Sequence, residues 1–543
     1  MEQSKVKIRV HSILKIRVFM KVLSAEEAVS LIKDGATVVT GGFTTTKIPY
    51  ELLHALRERF MKTGHPRDLT VVAVAGQSGG KGIGLDVLGV EGLMRRHVFS
   101  HCGKAPSISD LIMNNKIIAY CLPQGVLSQL MRDIAAKKPC LITHVGLMTF
   151  VDPRIEGGKV NELTKKEPDI VHLIEINGRE YLRYDTFPID VALIRGTTAD
   201  EKGNISVEKE GVTLEDLSIA QAARNSGGIV IVQVERIVKA ESICPRLVSI
   251  PHILVDYVVI ASKPEYQWQT CRIPYDPAIS GVFKSPISKM EIKPLDAKKI
   301  IARRGLMEIR KGDIVNLGIG TSALIADVAR EEQVFEEFTL TVESGVIGGI
   351  PLGGVDFGVG INYDCVIDQP YQFDFYHGGG LDIAFLGMAE ADERGNVNVS
   401  KFGGRFVGCG GFIDISQNAK KVVFCGTFTT KDLEIKIEDG KLRILKEGKV
   451  KKFVKEVEHI TFSGDYARKV NQKVLYITER AVFSLEQNGV VLKEVAPGID
   501  IDKHILPFME FEPKIAKDLR EMDQRIFKEG RMNLTFFENS GGS

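Results

Sequence analysis

Short apolar runs alternate with amphipathic segments along most of the chain. Residues 36–39 and 69–74 are β-branched or aliphatic runs that each lead into glycine-rich sequence. Residues 24–27 (SAEE) have the spacing of a helix capping box, and Gly35 marks the end of that predicted helix. Residues 227–237 (GGIVIVQVERI) predict one fully buried strand. This alternation of strands and helices predicts an α/β fold with mostly parallel sheets.

An internal repeat predicts that the chain consists of two related halves. Residues 190–207 (DVALIRGTTADEKGNISV) align without a gap with residues 382–399 (DIAFLGMAEADERGNVNV), with eight identities among eighteen positions. Residues 35–41 (GATVVTG) match residues 312–318 (GDIVNLG) in the same way. Only two copies are present, so a duplicated α/β unit fits better than a solenoid.

The repeat and the proline content suggest the domain boundaries. We expect a flexible tail over residues 1–20, an amino-terminal half over 20–272, a linker over 273–298, a carboxy-terminal half over 299–520, and a carboxy-terminal tail over 521–543.

Composition excludes several classes of protein. The chain has 44% hydrophobic and 26% charged residues, as in globular proteins, and 71 basic against 70 acidic side chains. A dedicated nucleic-acid or acidic-membrane binder is therefore not expected, because such binding depends on excess positive charge. The eight cysteines form no CxxC pair, and no uncharged run is long enough to span a bilayer. We expect a reducing, cytoplasmic location without a metal site.

Glu343 is the strongest candidate for a reactive group. It follows the predicted strand at residues 338–342, where α/β sheets place ligands, and precedes twelve uncharged residues, 344–355. One interpretation is a turn glutamate that accepts bonds from backbone amides. The other is a nucleophile, since a carboxylate with an ordinary pKa is ionised at neutral pH and can attack a thioester without a general base.

Several blocks resemble family I CoA-transferases. Residues 34–49 (DGATVVTGGFTTTKIP) resemble their amino-terminal signature, and residues 343–351 (ESGVIGGIP) resemble the segment around their catalytic glutamate. Further similar blocks lie at residues 122–125, 146–161, 367–382, 397–428 and 475–483. Over about residues 20–513 the chain is similar to single-chain acetate or propionate CoA-transferases, which implies two homologous open α/β CoA-transferase domains fused in one chain.

The resemblance implies a mechanism and its substrates. Glu343 would attack a short-chain acyl-CoA and become a glutamyl-CoA thioester, which a second carboxylate then attacks in a ping-pong reaction. CoA esters are substrates in this scheme, so no ATP, metal or redox cofactor is expected. A homo-oligomer, either a dimer or a tetramer, is expected from the resemblance alone.

A second glycine-rich segment, at residues 408–411 (GCGG), is expected to contribute to the site. The resemblance implies that Gly408, Gly410 and Gly411 line the region of the CoA thiol and the oxyanion, and a structural turn is the alternative. Cys409 is not favoured as a nucleophile, because no histidine lies near it in sequence and the family chemistry uses a glutamate.

Four further polar residues are candidate substrate contacts. Lys401 and Arg405 could meet the CoA phosphates, or could be solvated loop cations. Gln77 and Gln124 both lie in glycine-bordered turns of the amino-terminal half and could hydrogen-bond the acceptor carboxylate. His101, His144 and His377 have no metal-ligand spacing, and structural roles are expected for them.

The first signature departs from the family pattern at two positions. Thr40 replaces an aliphatic residue and Lys47 replaces a glycine, and Val346 beside the glutamate is a milder change from proline. If the glycine normally has a positive φ, Lys47 would be strained there or the loop would differ. Lys47 could also place a cation near the cleft.

Two other functions remain open at this stage. Residues 318–323 (GIGTSA) match the G-x-G-x-x-A pattern of NAD sites, although the acidic partner about twenty residues on would be Glu343 itself. A non-catalytic metabolite sensor on the same fold is the second alternative. Such a sensor would not require the glutamate with its surrounding glycines.

Overall fold

The computed structural model describes residues 20–286 and 292–536 as two α/β halves, each built around one sheet. The expected tail at residues 1–19, linker residues 287–291 and the end of the chain at 537–543 lie outside the described residues. No helix among the described residues is both long and apolar enough to cross a membrane.

The first half contains one large sheet in which all neighbouring strands are parallel, with the order β1-β15-β12-β9-β2-β3-β4-β5. The strands of this half are β1 Lys21–Val22, β2 Thr37–Thr40, β3 Leu69–Ala73, β4 Met94–Phe99, β5 Ile118–Cys121, β6 Cys140–Thr143, β7 Val171–Ile176, β8 Arg179–Asp185, β9 Val191–Arg195, β10 Thr198–Asp200, β11 Ile205–Ser206, β12 Ile229–Val234, β13 Arg236–Val238, β14 Val248–Ile250 and β15 Tyr257–Ile260. Its helices are α1 Ala25–Ser30, α2 Tyr50–Thr63, α3 Pro106–Met113, α4 Gln124–Ala135 and α5 Asp216–Asn225.

The second half has a parallel centre, β17-β16-β22-β27-β33, with antiparallel strands added on both sides. Its strands are β16 Ile314–Leu317, β17 Thr339–Thr341, β18 Val346–Ile347, β19 Ile350–Pro351, β20 Gly360–Ile361, β21 Cys365–Val366, β22 Ile383–Gly387, β23 Glu390–Asp392, β24 Val397–Asn398, β25 Lys401–Phe402, β26 Arg405–Phe406, β27 Lys421–Cys425, β28 Thr429–Thr430, β29 Glu434–Glu438, β30 Lys441–Lys446, β31 Val450–Lys451, β32 Phe453–Val454, β33 Lys473–Ile477, β34 Ala481–Glu486, β35 Gly489–Val495 and β36 Lys514–Glu521. Its helices are α6 Ala297–Leu306, α7 Leu324–Glu332, α8 Gln369–His377, α9 Phe412–Asn418, α10 Gly464–Lys469 and α11 Ile501–His504.

The two halves share one topology. The order β15-β12-β9-β2-β3 in the first sheet corresponds to β33-β27-β22-β16-β17 in the second. The α/β class and the mostly parallel sheets predicted from the sequence are confirmed. The capping box at the start of α1 is also present, since Ser24 and Glu27 exchange side-chain-to-backbone hydrogen bonds.

The repeated motif forms the same turn twice. In the first half the Asp200 carboxylate accepts bonds from the backbone N–H and the side-chain Nδ2 of Asn204, each at 2.9 Å. In the second half Asp392 accepts the same two bonds from Asn396, again at 2.9 Å. The identical Asp and Asn residues of the repeat therefore fix equivalent turns at the ends of equivalent strands.

Two sequence expectations are corrected here. Residues 227–237 do not form one strand, because β12 ends at Val234 and β13 joins a different sheet beside β10. The carboxy-terminal tail is packed up to residue 536, with Met522, Ile526 and Phe527 in the core around α6. Arg303 on α6 donates hydrogen bonds to the carbonyl of Ile526 at 3.1 Å and to the carbonyl of Lys528 at 2.6 Å.

Lys47 occupies a glycine-like backbone position, as the signature suggested. Its φ is +57°, a conformation that costs a side-chain-bearing residue free energy. The side chain is fully buried, its Nζ lies 3.1 Å from Oδ2 of Asp216, and it donates a hydrogen bond to the carbonyl of Thr213. Burial raises the pKa of Asp216 and raises that of the neighbouring Glu215 well above its usual value. The expectation of a cation in the cleft is wrong, because Lys47 points into the first half.

Lys47→Met should lower the free energy of unfolding by about 3 kcal/mol, since it leaves buried acidic groups without their cation while retaining the side-chain bulk. Urea unfolding of the full chain measures this. Lys62→Met is the matched control, because its pair with Glu26 is exposed on both sides and should contribute less than about 1 kcal/mol. Equal losses in the two variants would contradict a stabilising role for the buried pair.

Candidate active site

A cavity of about 260 Å³ lies between the two halves, at the carboxyl ends of their central strands. The first half contributes residues that follow β2, β3 and β4, and the second contributes residues that follow β16, β17 and β22. The sequence predicts a ligand site at the carboxyl ends of the strands, and the cavity between the halves lies there.

Glu343 lies in this cavity, and only the second half carries such a residue. Thr37 pairs with Thr70 in the first sheet, and Ile314 pairs with Thr339 at the equivalent place in the second. Four residues beyond Thr70 is Val74, which is buried in the apolar core, whereas four residues beyond Thr339 is Glu343. The duplication has therefore left a carboxylate at one of two equivalent strand ends.

The surroundings of Glu343 disfavour its charge. Burial raises the pKa of this carboxyl to about 7, while its own backbone N–H and the side chain of Asn316 favour the ionised form, and the charge of Asp414 disfavours it. With an ordinary pKa this side chain would be fully ionised at neutral pH, but with a pKa of about 7 it is about half protonated. In its ionised form it is a poorly solvated, hence more reactive, nucleophile.

The predicted glycine segment lines the cavity opposite the Glu343 strand. Gly408 has φ +89°, and a Cβ there would lie 2.5 Å from the carbonyl oxygen of Ser100 in the first half. The Gly410 N–H donates to that same carbonyl at 2.9 Å, and the Gly410 carbonyl accepts from the Gln124 N–H at 3.0 Å. Glycine is thus required because this loop of the second half is docked on the first.

The docking changes which amides can bind an oxyanion. Gly408 donates its N–H to Ser400, and Gly410 donates to Ser100, so both groups are already used. Within the described residues the N–H of Gly411 has no protein acceptor. Of the three predicted glycines, Gly411 is therefore the one whose amide is available to a ligand.

The other predicted contacts divide into two groups. Gln77 and Gln124 both line the cavity together with Glu343 and are almost fully buried. Lys401 and Arg405 do not line it; they lie on the hairpin of β25 and β26, where Lys401 is 3.7 Å from Glu458. Their contact with CoA phosphates stays a prediction for the region outside the cavity.

Several residues that line the cavity were not predicted from the sequence. Phe43 and Phe357 form an aromatic pair across the halves, with ring centroids 5.8 Å apart. Asn316, in the repeated strand motif, lines the cavity together with Glu343. His101 was expected to be structural but faces the cavity, and burial lowers its pKa to about 4, so it is neutral there. The one sequence signal for a cavity position of His101 is that it closely follows β4, at a strand end.

Cys409 lines the cavity, and the two remaining histidines contact side chains of the second half. Burial raises the pKa of Cys409 well above its ordinary value, and its Sγ lies 3.8 Å from Sγ of Cys121. His144 contacts Asn418, and His377 contacts Asp414 at 2.9 Å. No group of three or more His, Cys, Asp or Glu side chains within residues 20–286 and 292–536 is arranged to hold a metal ion.

The cavity opens to solvent on the side of the glycine turn after β16. Ile319 in that turn is 52% exposed, whereas Phe43, Gln77 and Gln124 at the other end are at most 3% exposed. The Ile319 end of the cavity lining is therefore nearer to solvent than the end formed by Phe43, Gln77 and Gln124.

Comparison with known proteins agrees with this arrangement. The coenzyme A transferase family model matches residues 22–261. The chain is 49% identical over 514 residues to caffeate CoA-transferase of Acetobacterium woodii, covering 94% of this chain and 98% of that protein. It is 45% identical over 518 residues to acetate CoA-transferase YdiF of Escherichia coli O157:H7, covering 95% of this chain and 97% of that protein.

Comparison of the fold with solved structures also shows similarity to an acyl-CoA transferase. The crystal structure of the acyl-CoA transferase YdiF apoenzyme from Escherichia coli O157:H7 superposes with a TM-score of 0.91 at 44% identity, covering 96% of this chain and 98% of that one. The thioester complex of that enzyme with CoA gives a TM-score of 0.90 with the same coverage. With two relatives above 40% identity along almost the whole chain, this protein belongs to the coenzyme A transferase family.

Proposed function

We propose that this protein transfers CoA from a short-chain acyl-CoA to a free short-chain carboxylate through a thioester on Glu343. The observation that carries the proposal is the Glu343 carboxylate at the end of β17, inside a cavity closed by the glycine loop at residues 408–411. Family membership favours this reaction over the NAD-dependent and sensor alternatives.

The proposed steps are balanced without another reactant. A Glu343 carboxylate oxygen attacks the thioester carbonyl, the C–S bond breaks, and an acyl-glutamyl anhydride and a CoA thiolate result. The thiolate then attacks the Glu343 carbonyl carbon and releases the first carboxylate. A second carboxylate reverses both steps. The free N–H of Gly411 is the donor proposed for the oxyanion that forms in each addition.

The buried end of the cavity favours a small acyl group. With CoA entering past Ile319, the acyl chain extends toward Phe43 and Phe357. A Cβ on Gly358 would lie 2.3 Å from the ring of Phe43, so the two segments are in close contact. The hydrogen bond of 2.6 Å from Ser344 Oγ to the Gly358 carbonyl connects this aromatic wall to the residue that follows Glu343.

The names of the relatives span a wide range of acids, from acetate for YdiF to caffeate for the Acetobacterium protein. We infer acetate, propionate or similar acids for this chain because Phe43 and Phe357 shorten the acyl end. A cytoplasmic location and a homo-oligomeric assembly stay predictions.

Glu343→Ala should abolish CoA transfer, and Glu343→Asp should lose at least about a hundredfold in rate because its carboxylate is one methylene short of the thioester. The assay is acyl exchange between acetyl-CoA and propionate, together with mass spectrometry for a CoA adduct on the Glu343 peptide. Glu336→Ala, at an exposed glutamate of the same half, is the control. Wild-type-like turnover in Glu343→Ala would end the proposal.

The rate of adduct formation should rise between about pH 6 and pH 8. The reactive form is the carboxylate, and with a pKa of about 7 roughly one-tenth of it is ionised at pH 6. Stopped-flow measurement of CoA-adduct formation tests this. Among the other groups facing the cavity or the carboxyl, His101 stays neutral in this range, and burial raises the pKa of Tyr376 and lowers that of Lys104.

Asp414→Asn provides the second arm of that experiment. The substitution removes a negative charge that raises the pKa of Glu343. The rise in the rate of CoA-adduct formation should therefore occur at lower pH. A flat profile across pH 6–8 in the wild-type enzyme would contradict the protonation argument.

Phe357→Ala should widen the acyl range. Removing the ring lengthens the buried end, so we expect the ratio of kcat/KM for hexanoate to that for acetate to rise about tenfold or more. A panel of linear acids as acceptors measures this ratio. Phe375→Ala, at a phenylalanine 41% exposed on α8, is the control. An unchanged ratio in Phe357→Ala would show that the acyl chain lies elsewhere.

A further inference from the structure

Thr40, the first departure from the family signature, lies at the end of β2 and is fully buried. The matching residue of the repeat in the second half is the aliphatic Leu317. A hydroxyl inside a central strand is costly unless it is hydrogen-bonded. Its partner therefore indicates why a polar residue is present at this position.

That partner is the side chain of Gln77, one of the residues lining the cavity. Thr40 Oγ1 donates to Gln77 Oε1 at 2.6 Å, and Gln77 Nε2 donates to the Thr40 carbonyl at 2.7 Å. The Gln77 backbone carbonyl is also fixed, since it accepts from the Leu85 N–H at 2.8 Å. Both the amide and the backbone of Gln77 are thus fixed within the first half.

The two bonds determine which way the amide faces. If the amide were flipped, its Nε2 would face a hydroxyl and its Oε1 would face a carbonyl oxygen, which is repulsive. In the observed orientation, one N–H of Nε2 and one lone pair of Oε1 remain for a molecule in the cavity. A carboxylate can accept from that N–H, whereas it would be repelled by a flipped amide.

We propose that Thr40 is a positioning residue, which holds the Gln77 amide so that its free N–H is presented to the carboxylate of the free acceptor acid. This rests on the proposed function, because it assumes that the acid binds in this cavity with its carboxylate near Gln77 and Glu343, which line it together. Binding of the acceptor acid should depend on this contact more than binding of the acyl-CoA. A short free acid has few other groups that the protein can bind, whereas an acyl-CoA is also bound through its CoA portion.

Thr40→Val removes the hydroxyl and keeps the shape of the side chain. We expect the KM for the acceptor carboxylate to rise about tenfold, the size of effect typical for loss of one buried hydrogen bond, with the KM for acetyl-CoA changed less than threefold. Thr40→Ser should restore the wild-type acceptor KM. Thr37→Val is the matched control, because Thr37 lies on the same strand and does not line the cavity.

A double-mutant cycle distinguishes action through Gln77 from a general effect on folding. In a Gln77→Ala background, Thr40→Val should change the acceptor KM less than twofold, because the group that it positions is absent. Two results would overturn the proposal. One is a tenfold rise in the acceptor KM when Thr40→Val is introduced into the wild-type protein and also into Gln77→Ala. The other is no rise in the acceptor KM when Thr40→Val is introduced into the wild-type protein.

Mass spectrometry separates this test from the test of the proposed function. Thr40→Val should still form the CoA adduct on the Glu343 peptide when it is mixed with acetyl-CoA. Absence of the adduct in the wild-type enzyme would refute the thioester mechanism itself. Normal adduct formation with an unchanged acceptor KM in Thr40→Val would refute only the role of Thr40.

Discussion

The site depends on the burial of one carboxylate between two halves of the chain. Glu343 reaches the cavity only because β17 ends there, and the cavity exists only because the loop at residues 408–411 is docked on the end of β4. Burial in this cavity raises the pKa of Glu343 to about 7. As a consequence, the Glu343 carboxyl is protonated, and so unable to attack, in part of the enzyme molecules at neutral pH. The benefit is that a thioester formed here would be shielded from hydrolysis, so transfer to a second acid can compete.

The duplication explains how one fold supports such an asymmetric site. Both halves have the same strand order and the same Asp–Asn turn, so the backbone frame is equivalent. At one pair of equivalent strand ends the side chains differ in chemistry, since Val74 in the first half corresponds to Glu343 in the second. A duplicated frame can therefore specialise through few side chains. At these equivalent strand ends the first sheet keeps an apolar residue, and the second carries the proposed nucleophile.

The sequence was informative where a local pattern determines local structure. The capping box at Ser24 and the position of Glu343 after a strand both follow from short-range rules. It was less informative where residues distant in sequence meet. The contact of Phe43 with Phe357, the position of His101 in the cavity and the use of the Gly408 and Gly410 amides depend on how the halves dock. The raised pKa of Glu343 has the same origin, since burial cannot be read from one segment.

The two departures from the family signature support a division of roles between the halves. Thr40 and Lys47 lie seven positions apart, and each has its partner within the first half, Gln77 for the hydroxyl and Asp216 for the ammonium. Neither change requires an adjustment around Glu343 in the second half. Substitutions in the first half can therefore alter how an acid is held while the residues that form and break the thioester stay fixed. The proposed acid contact of Gln77 therefore lies in the first half, and the proposed nucleophile Glu343 lies in the second. The aromatic pair of Phe43 and Phe357 connects the two halves.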